Sequence, residues 1–519
     1  MPDSASFDRR KFLTSAAKTG TAIVAGASLV GADAKADEGA NEDLPTNISG
    51  PTCDDAPAAD ISRLKTMLIL DRLSVADAGG ASFHLNPAKK HPENPVLLPG
   101  EPQHWDGLQV VWPGTVLYDA EDKLFRCWYS GMDPVQKNRP PLWSPGYAES
   151  SDGLHWTKPD LGQLSHNGQP TNRIAVDFSQ NILSFVVKNP DQSDPQRRYL
   201  SLWTVVSEGD RLSKSLASSP DGKVWKHEGT CFTPENEDRV NFSDIYQLIF
   251  QPDAADENDR VLAYGQLFRP RGWDNHFVRQ IALGRGPNPG SLKLIENPIV
   301  LGAEQGIDEE IHFASVKRIG DTFLMLFESN RFTQLPLGDL RLAVSNDGRK
   351  FRRVFPQEPL VTTGARGMWD ENILVVSSSA MQEVGDEIWI YYFGCPNVFK
   401  RWPSSYAVNS EYRGSLFYPS YLGLATLPRD RFAYAKGPGS ITTSTLTMGE
   451  QGLWLNVDGA HVAVIALDAA GGTIAKGVVG DSAAAGQYRR VVWADGPPSQ
   501  PFQAKVVLNA DERVYSVRY

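Results

Sequence analysis

EIWIYYFGC, residues Glu387–Cys395, decides the fold, because versions of it recur four times upstream: 124–131 (LFRCWYSG), 198–206 (RYLSLWTVV), 260–268 (RVLAYGQLF) and 322–330 (TFLMLFESN). Each is a short aromatic and β-branched run bounded by polar or turn residues, the pattern of a buried strand. Another apolar run precedes each copy, at 110–118, 181–188, 246–250, 311–318 and 372–381, and an acidic or glycine-containing turn often lies between the two. A third strand follows. In three repeats it ends in nearly the same hairpin: Ser151-Asp-Gly-Leu-His-Trp156, Ser219-Pro-Asp-Gly-Lys-Val-Trp225 and Ser345-Asn-Asp-Gly-Arg-Lys-Phe351. Asp-Gly suits such turns because glycine takes positive φ without strain and aspartate tolerates it. The corresponding turns near 284–290 and 428–431 are degenerate.

The five turns are spaced by about 60 to 80 residues. Four short strands repeated five times predict an all-β fold, a five-bladed β-propeller in which each blade buries its faces against its neighbours. An irregular β-sandwich with coincidental Asp-Gly hairpins is the competing reading.

Asp8-Arg-Arg-Lys-Phe-Leu13 opens the chain, followed by a weakly apolar stretch rich in Ala and Gly and then Ala34-Lys-Ala36. Twin arginines before a mildly hydrophobic core and an Ala-x-Ala site read as a twin-arginine export signal over 1–36, cleaved after Ala36. The expected location is periplasmic or secreted. Residues 37–61 read as a flexible leader, 62–436 as the propeller and 437–519 as a small C-terminal antiparallel β-sandwich. Within 62–73 an apolar segment is expected to add an edge strand that helps close the ring. The 519 residues, 41% of them hydrophobic and 10% aromatic, supply ample core, while 45 glycines and 36 prolines suit a turn-rich β protein.

A net charge of −11 with no basic stripe argues against a nucleic-acid partner. No segment after the signal has the apolar length of a membrane helix, so no membrane partner is expected after cleavage. Cys53, Cys127, Cys231 and Cys395 are too dispersed for a zinc site or a redox pair. Cys127 and Cys395 occupy related places in the first and last repeats and read as buried free thiols, a disulfide being the alternative. Metal-ligand spacing is absent, with His312 beside Glu309 and Glu310 as the nearest approach to it, and no cofactor is implied.

In a propeller, the loops entering the innermost strands converge on one mouth. Every repeat places an acid there: Asp106 after His104 and Trp105, Asp177, Asp244, Asp308-Glu-Glu310, and Asp370-Glu371 after Trp369. Converging carboxylates with interleaved tryptophans suit glycosyl chemistry, in which one acid protonates the leaving oxygen and a second attacks or activates water. Crowded like charges keep one member protonated. Trp105, Trp112, Trp273, Trp369 and Trp402 are candidate platforms for sugar rings, with Asp370 as a further substrate contact. Arg269 and Arg279 are candidates for a carboxylate or sulfate on an acidic sugar.

Five repeats, an acid heading the first inner strand, Asp-Gly hairpins and an appended β-sandwich resemble the five-bladed propeller glycosidases, glycoside hydrolase families 32, 43 and 68. The closest local matches are Trp369-Asp-Glu-Asn-Ile373 leading to 388–394, then 422–432, 453–458 and Val491-Val-Trp493. The resemblance implies a first-blade Asp as nucleophile or base, which falls on Asp106, and a second-blade Asp that positions the sugar, which falls on Asp177. It also implies a third-blade Glu as acid, but the third inner strand is headed by Asp244. The acid is therefore expected to be Asp244, Glu310 or Glu371. An exported glycoside hydrolase acting on a plant or algal oligo- or polysaccharide follows. The alternatives are a propeller that binds carbohydrate without cleaving it, and lyase or phosphorylase chemistry, which would call for a basic cluster beside the mouth.

Overall fold

A computed structural model describes residues 60–133, 144–176, 181–207, 211–232, 242–331, 338–396, 419–459, 461–479 and 487–519, and within these all side chains except 111–113, 181–184, 204–207, 211–213, 242–246 and 374–375. The twin-arginine stretch, Asp177 and Trp402 lie outside the described residues. Trp112 and Asp244 lie in described strands, but their side chains are among those excluded.

The fold is all-β. Among the described residues there are five antiparallel meanders, and the first two strands of each lie close to the stretches read from the sequence. The first comprises Gln109–Asp119, Leu124–Met132 and Ser144–Ser150, with Thr157 bridged to Glu149 in the place of a fourth strand. The second runs through Asn181–Lys188, Tyr199–Ser207, Arg211–Ser219 and Lys226–Phe232, and the third through Phe242–Phe250, Val261–Pro270, Phe277–Gly286 and Lys293–Leu301. The fourth contains Glu310–Ile319, Thr322–Asn330, Gly338–Ser345 and Arg352–Val354. The fifth contains Asn372–Val384, Glu387–Cys395 and Tyr421–Pro428, and its outer strand is Lys89–Lys90 from the start of the chain.

The first strands touch one another in a closed order, first to second and onward through the fifth back to the first. Their backbones meet only at one parallel bridge, between Ser378 of the fifth meander and Thr115 of the first, among the described residues, and side-chain oxygens tie the strands together. Val186 N–H donates to Thr115 Oγ1 at 3.0 Å, Val316 N–H to Gln247 Oε1 at 2.7 Å, Ala380 N–H to Ser315 Oγ at 3.0 Å and Val116 N–H to Ser377 Oγ at 3.1 Å. Each bond satisfies a buried donor left over where the register is interrupted, in keeping with bulges that bend a strand out of its ladder.

At the opposite end, the Asp-Gly turns lock neighbouring meanders. Gly153, Gly222 and Gly348 have φ of 75°, 75° and 71°, and the preceding Ser and Asp side chains accept the turn's N–H groups. The glycine carbonyls then take a donor from the meander before: Trp128 Nε1 to Gly222 O at 2.6 Å, Tyr264 OH to Gly348 O at 2.8 Å and Tyr391 OH to Gly153 O at 3.0 Å. All three donors occupy the fifth position of the repeated stretch. In the second and fourth meanders that position is Leu202 and Leu326, and the turns facing them are the degenerate ones.

Apart from a short hairpin of Ser165–His166 with Gln169–Pro170, the remaining described strands form one ten-stranded sheet with its own apolar core, including Ile441, Leu455, Val464, Val506 and Val517. Its two ends meet, since Ala76 N–H donates to Thr442 O and Ser440 N–H to Gly79 O, both at 2.8 Å. Thr66–Leu68 belongs to this sheet and pairs with Arg513–Arg518. The apolar 62–73 segment was expected to edge the ring of meanders, but Lys89–Lys90 takes that place. An outer strand needs few apolar residues, so a lysine pair carries no signal that a hydrophobicity pattern could detect. Cys127, Cys231 and Cys395 are buried free thiols.

Candidate active site

Residues heading the first strands fall into two groups. Asp106, Asp308 and Asp370 are buried, and each is clasped by a cation from the outer strand region of its own meander. Asp106 Oδ2 accepts from Lys158 Nζ at 2.5 Å and Tyr129 OH at 2.8 Å. Asp370 Oδ2 accepts from Lys90 Nζ at 2.5 Å and Tyr392 OH at 3.0 Å. Asp308 accepts from Arg353 at 2.8 and 3.0 Å, and Arg353 lies 5.5 Å from the Phe327 ring centroid. Tyr129, Phe327 and Tyr392 all occupy the sixth position of the repeat. Trp105 stacks on Tyr129 at 5.8 Å and Trp369 on Tyr392 at 5.8 Å, so both tryptophans, expected as sugar platforms, are buried within the clasp. The Trp105 indole N–H also donates to Asn172 at 2.9 Å. Glycines make room: a Cβ at Gly131 or Gly394 would collide with Trp105 or crowd Asp370.

The second group lies at the start of the fourth meander and against the fifth. Glu310, fully buried, pairs with Arg279 at 2.7 Å and also accepts the Arg279 backbone N–H at 3.2 Å. Glu328, on the adjoining strand, is 2% exposed, and among the described residues its Oε2 accepts no hydrogen bond. Burial, reinforced by the charge of Glu310, pushes its carboxyl well above the ordinary value and so favours the protonated form. The register explains its aim. Ile311 pairs with Ser329 and Ala314 with Phe327, leaving His312 and Phe313 opposite Glu328 alone. His312 Nδ1 is 3.8 Å from Glu328 Oε2, and burial together with Arg279 lowers the imidazole well below its usual value, so it is neutral.

The fifth meander closes the other side. Cys395 is buried, and its thiol is pushed up chiefly by burial, with the carboxyl groups of Glu328 and Glu371 nearby adding to the shift. Glu371 Oε2 accepts the Gly367 N–H at 2.8 Å. Gly338 permits the approach: a Cβ there would sit 2.7 Å from the Ile373 carbonyl and 3.2 Å from Glu328 Oε1. On the third meander, Arg271 forms a bidentate pair with Asp274 at 2.7 and 2.8 Å, lies 4.8 Å from the Trp273 ring and donates to the Glu309 carbonyl at 3.1 Å. That ties the half-exposed Trp273 hairpin to the entrance of the fourth meander. Arg269 donates to the Phe268 carbonyl at 3.0 Å.

Of the acids named from the sequence, Glu310 and Glu371 therefore fall in one cluster, and Asp106 and Asp370 occupy clasps. Glu328 was missed. The available signal was an acid at the seventh position of the repeat, where the other copies carry Ser130, Thr204, Gln266 and Phe393. An acid inside an otherwise apolar strand run carries a burial cost that asks for an explanation.

The fold and this cluster define an all-β protein of cyclically arranged meanders with a buried carboxyl, Glu328, raised above its ordinary value beside Glu310. No family model and no curated protein matches the sequence. Among solved structures it is similar to BT0996 in an RGII complex, at 12% identity over 66% of the present protein and 93% of that one, with a TM-score of 0.46. It is similar to a glycoside hydrolase at 12% identity, over 66% and 92% of the two proteins, with a TM-score of 0.46. An N-acetylgalactosamine deacetylase from F. plautii in complex with blood group B trisaccharide matches at 15% identity over 67% and 96%, with a TM-score of 0.43. At these scores the likenesses carry no functional weight, and the reading below rests on the side chains.

Proposed function

We propose that the protein is an exported glycoside hydrolase built on a five-bladed β-propeller with a C-terminal β-sandwich, its blades being the five meanders. The observation that carries the reading is Glu328, a buried carboxyl whose Oε2 has no hydrogen-bond partner among the described residues and whose burial favours the protonated form. Such a group is suited to protonating a leaving glycosidic oxygen. The Glu310 carboxylate, paired with Arg279, supplies the neighbouring negative charge that helps hold that proton. Glu371, which like Glu328 lies near Cys395, is assigned as the second carboxylate, acting as base or nucleophile. Neutral His312 is placed to accept or donate a hydrogen bond to a substrate hydroxyl, and Trp273 to stack on a sugar ring. Asp106, Asp370, Trp105 and Trp369 are assigned to the blade clasps rather than to chemistry. Asp177 and Asp244 stay candidates for positioning the sugar. Export through the twin-arginine segment, cleavage after Ala36 and boundaries near 61 and 436 complete the reading.

Arg271, Arg279, Arg331 and Arg341 each carry a carboxylate partner. The test is reducing-sugar release by the mature protein from fructans, arabinans, xylans and sulfated algal polysaccharides, with Glu328→Gln alongside. Release that disappears in the variant is expected. Retention on a polysaccharide in an affinity gel without release by either protein would favour a non-catalytic carbohydrate-binding propeller.

A further inference from the structure

Three of the five junctions between meanders are plugged at the end away from Glu328 by an Asp-Gly turn whose glycine carbonyl takes an aromatic donor. The junction from fourth to fifth lacks the plug and is covered instead, since Asp430 in the degenerate turn accepts from Tyr488 OH and Arg518, both at 2.7 Å, in the ten-stranded sheet. From second to third neither device is present. The donor position is Leu202, the turn is Gly286–Gly290, and a cleft of about 520 Å³ opens between the two meanders.

We infer that this cleft is a second carbohydrate site that takes a short, neutral oligosaccharide. Its volume lies in the range of small-molecule pockets. Phe250 and the prolines flanking Asn288 give it a flat apolar wall, suited to the C–H face of a pyranose. Around that wall, groups of both signs and of both hydrogen-bonding senses are interleaved. Arg197 and Glu228 form a bidentate pair at 2.7 and 2.9 Å, Arg260 has no carboxylate partner among the described residues, and exposed Asn288 uses its carbonyl oxygen on Gly290 N–H at 2.9 Å. A purely apolar ligand would desolvate these groups without replacing their hydrogen bonds. An anion would meet Glu228, and a cation would meet Arg197 and Arg260. A ligand with many hydroxyls is both donor and acceptor, carries no charge and still has an apolar face, so it fits all of them. At the far end of the strands from Glu328, such a site would hold a glycan strand without occupying the mouth.

The experiment is isothermal titration of the mature Glu328→Gln protein with cellotetraose, xylotetraose, mannotetraose and arabinotetraose, repeated with Arg260→Ala and Asn288→Ala added. Both added positions are exposed, and unchanged thermal midpoints will show that folding is intact. Binding of at least one tetraose that weakens tenfold or more with the cleft substitutions is expected. No binding to any of the four, or binding that is unaffected by the cleft substitutions and lost with Trp273→Ala, would overturn the inference. The readout is binding in a chain already deprived of its proposed acid. Failure of the hydrolase reading would appear separately, as absence of turnover with Arg260 and Asn288 intact.

Discussion

Replacing Glu328 with glutamine should move two properties in opposite directions. The side chains are nearly isosteric, and a protonated carboxyl and a carboxamide are both neutral, so packing is conserved. In the wild-type protein burial raises the Glu328 carboxyl well above its ordinary 4.5. The unfolded chain releases that proton as pH rises past the ordinary value while the native state retains it, so native stability falls with rising pH. The loss stops only once pH exceeds the native value. Within that window the slope is at most about 1.4 kcal/mol per pH unit. Glutamine has no proton to release. The variant should therefore match the wild type near pH 4 and become progressively more stable above it, as read from urea unfolding midpoints at pH 4, 6 and 8. Over the same range, turnover of the best substrate should fall about 10²- to 10⁴-fold, the usual contribution of a general acid. Parallel stability profiles for the two proteins would show that Glu328 titrates as an ordinary carboxyl, and wild-type turnover by the variant would remove it from the chemistry.

Arg279→Met should cost about 3–5 kcal/mol by stranding fully buried Glu310, and adding Glu310→Met should recover most of it; equal denaturation midpoints for the wild type and the single variant would refute the pairing. Asp106→Asn should keep turnover within a few-fold while lowering the thermal midpoint, because Lys158 loses its buried counter-charge, whereas a thousandfold loss of turnover would return Asp106 to the catalytic role implied by family resemblance. At Gly222, valine meets a positive φ and a collision with the Trp128 ring, so calorimetry should show destabilisation of about 1–3 kcal/mol or more. Tyr391→Phe removes the donor to Gly153 O and should cost about 1 kcal/mol, measured the same way.

The repeat, and with it the order of strands, was legible because each meander must present the same apolar run and turn to its neighbours. Even the degenerate turns carried information, since the aromatic donor is missing from the meanders that face them. The outer strand Lys89–Lys90 was not legible, because its role is to supply one backbone edge and the Lys90 ammonium to Asp370, and neither leaves a hydrophobic pattern. Reading an acid before each inner strand as a mouth-lining group put Glu310 and Glu371 among the candidates. It could not distinguish them from Asp106 and Asp370, because sequence position places a carboxyl near the entrance without saying whether a cation across the blade already holds it.

By itself, the sequence determined the all-β character, the repeated strand pairs, the turns that need glycine and the crowding of acids toward one end. Local propensity, turn stereochemistry and alternation act over a few residues, and each repeat states them anew. Tertiary structure alone decided which acids are clasped by a cation and that burial pushes Glu328 toward its protonated form. Lys158 reaches Asp106 from 52 residues away and Lys90 reaches Asp370 from 280, while Glu328 is raised by burial and by Glu310 on a neighbouring strand. Protonation depends on desolvation and on charges within a few ångströms, and those distances are set only when the ring closes.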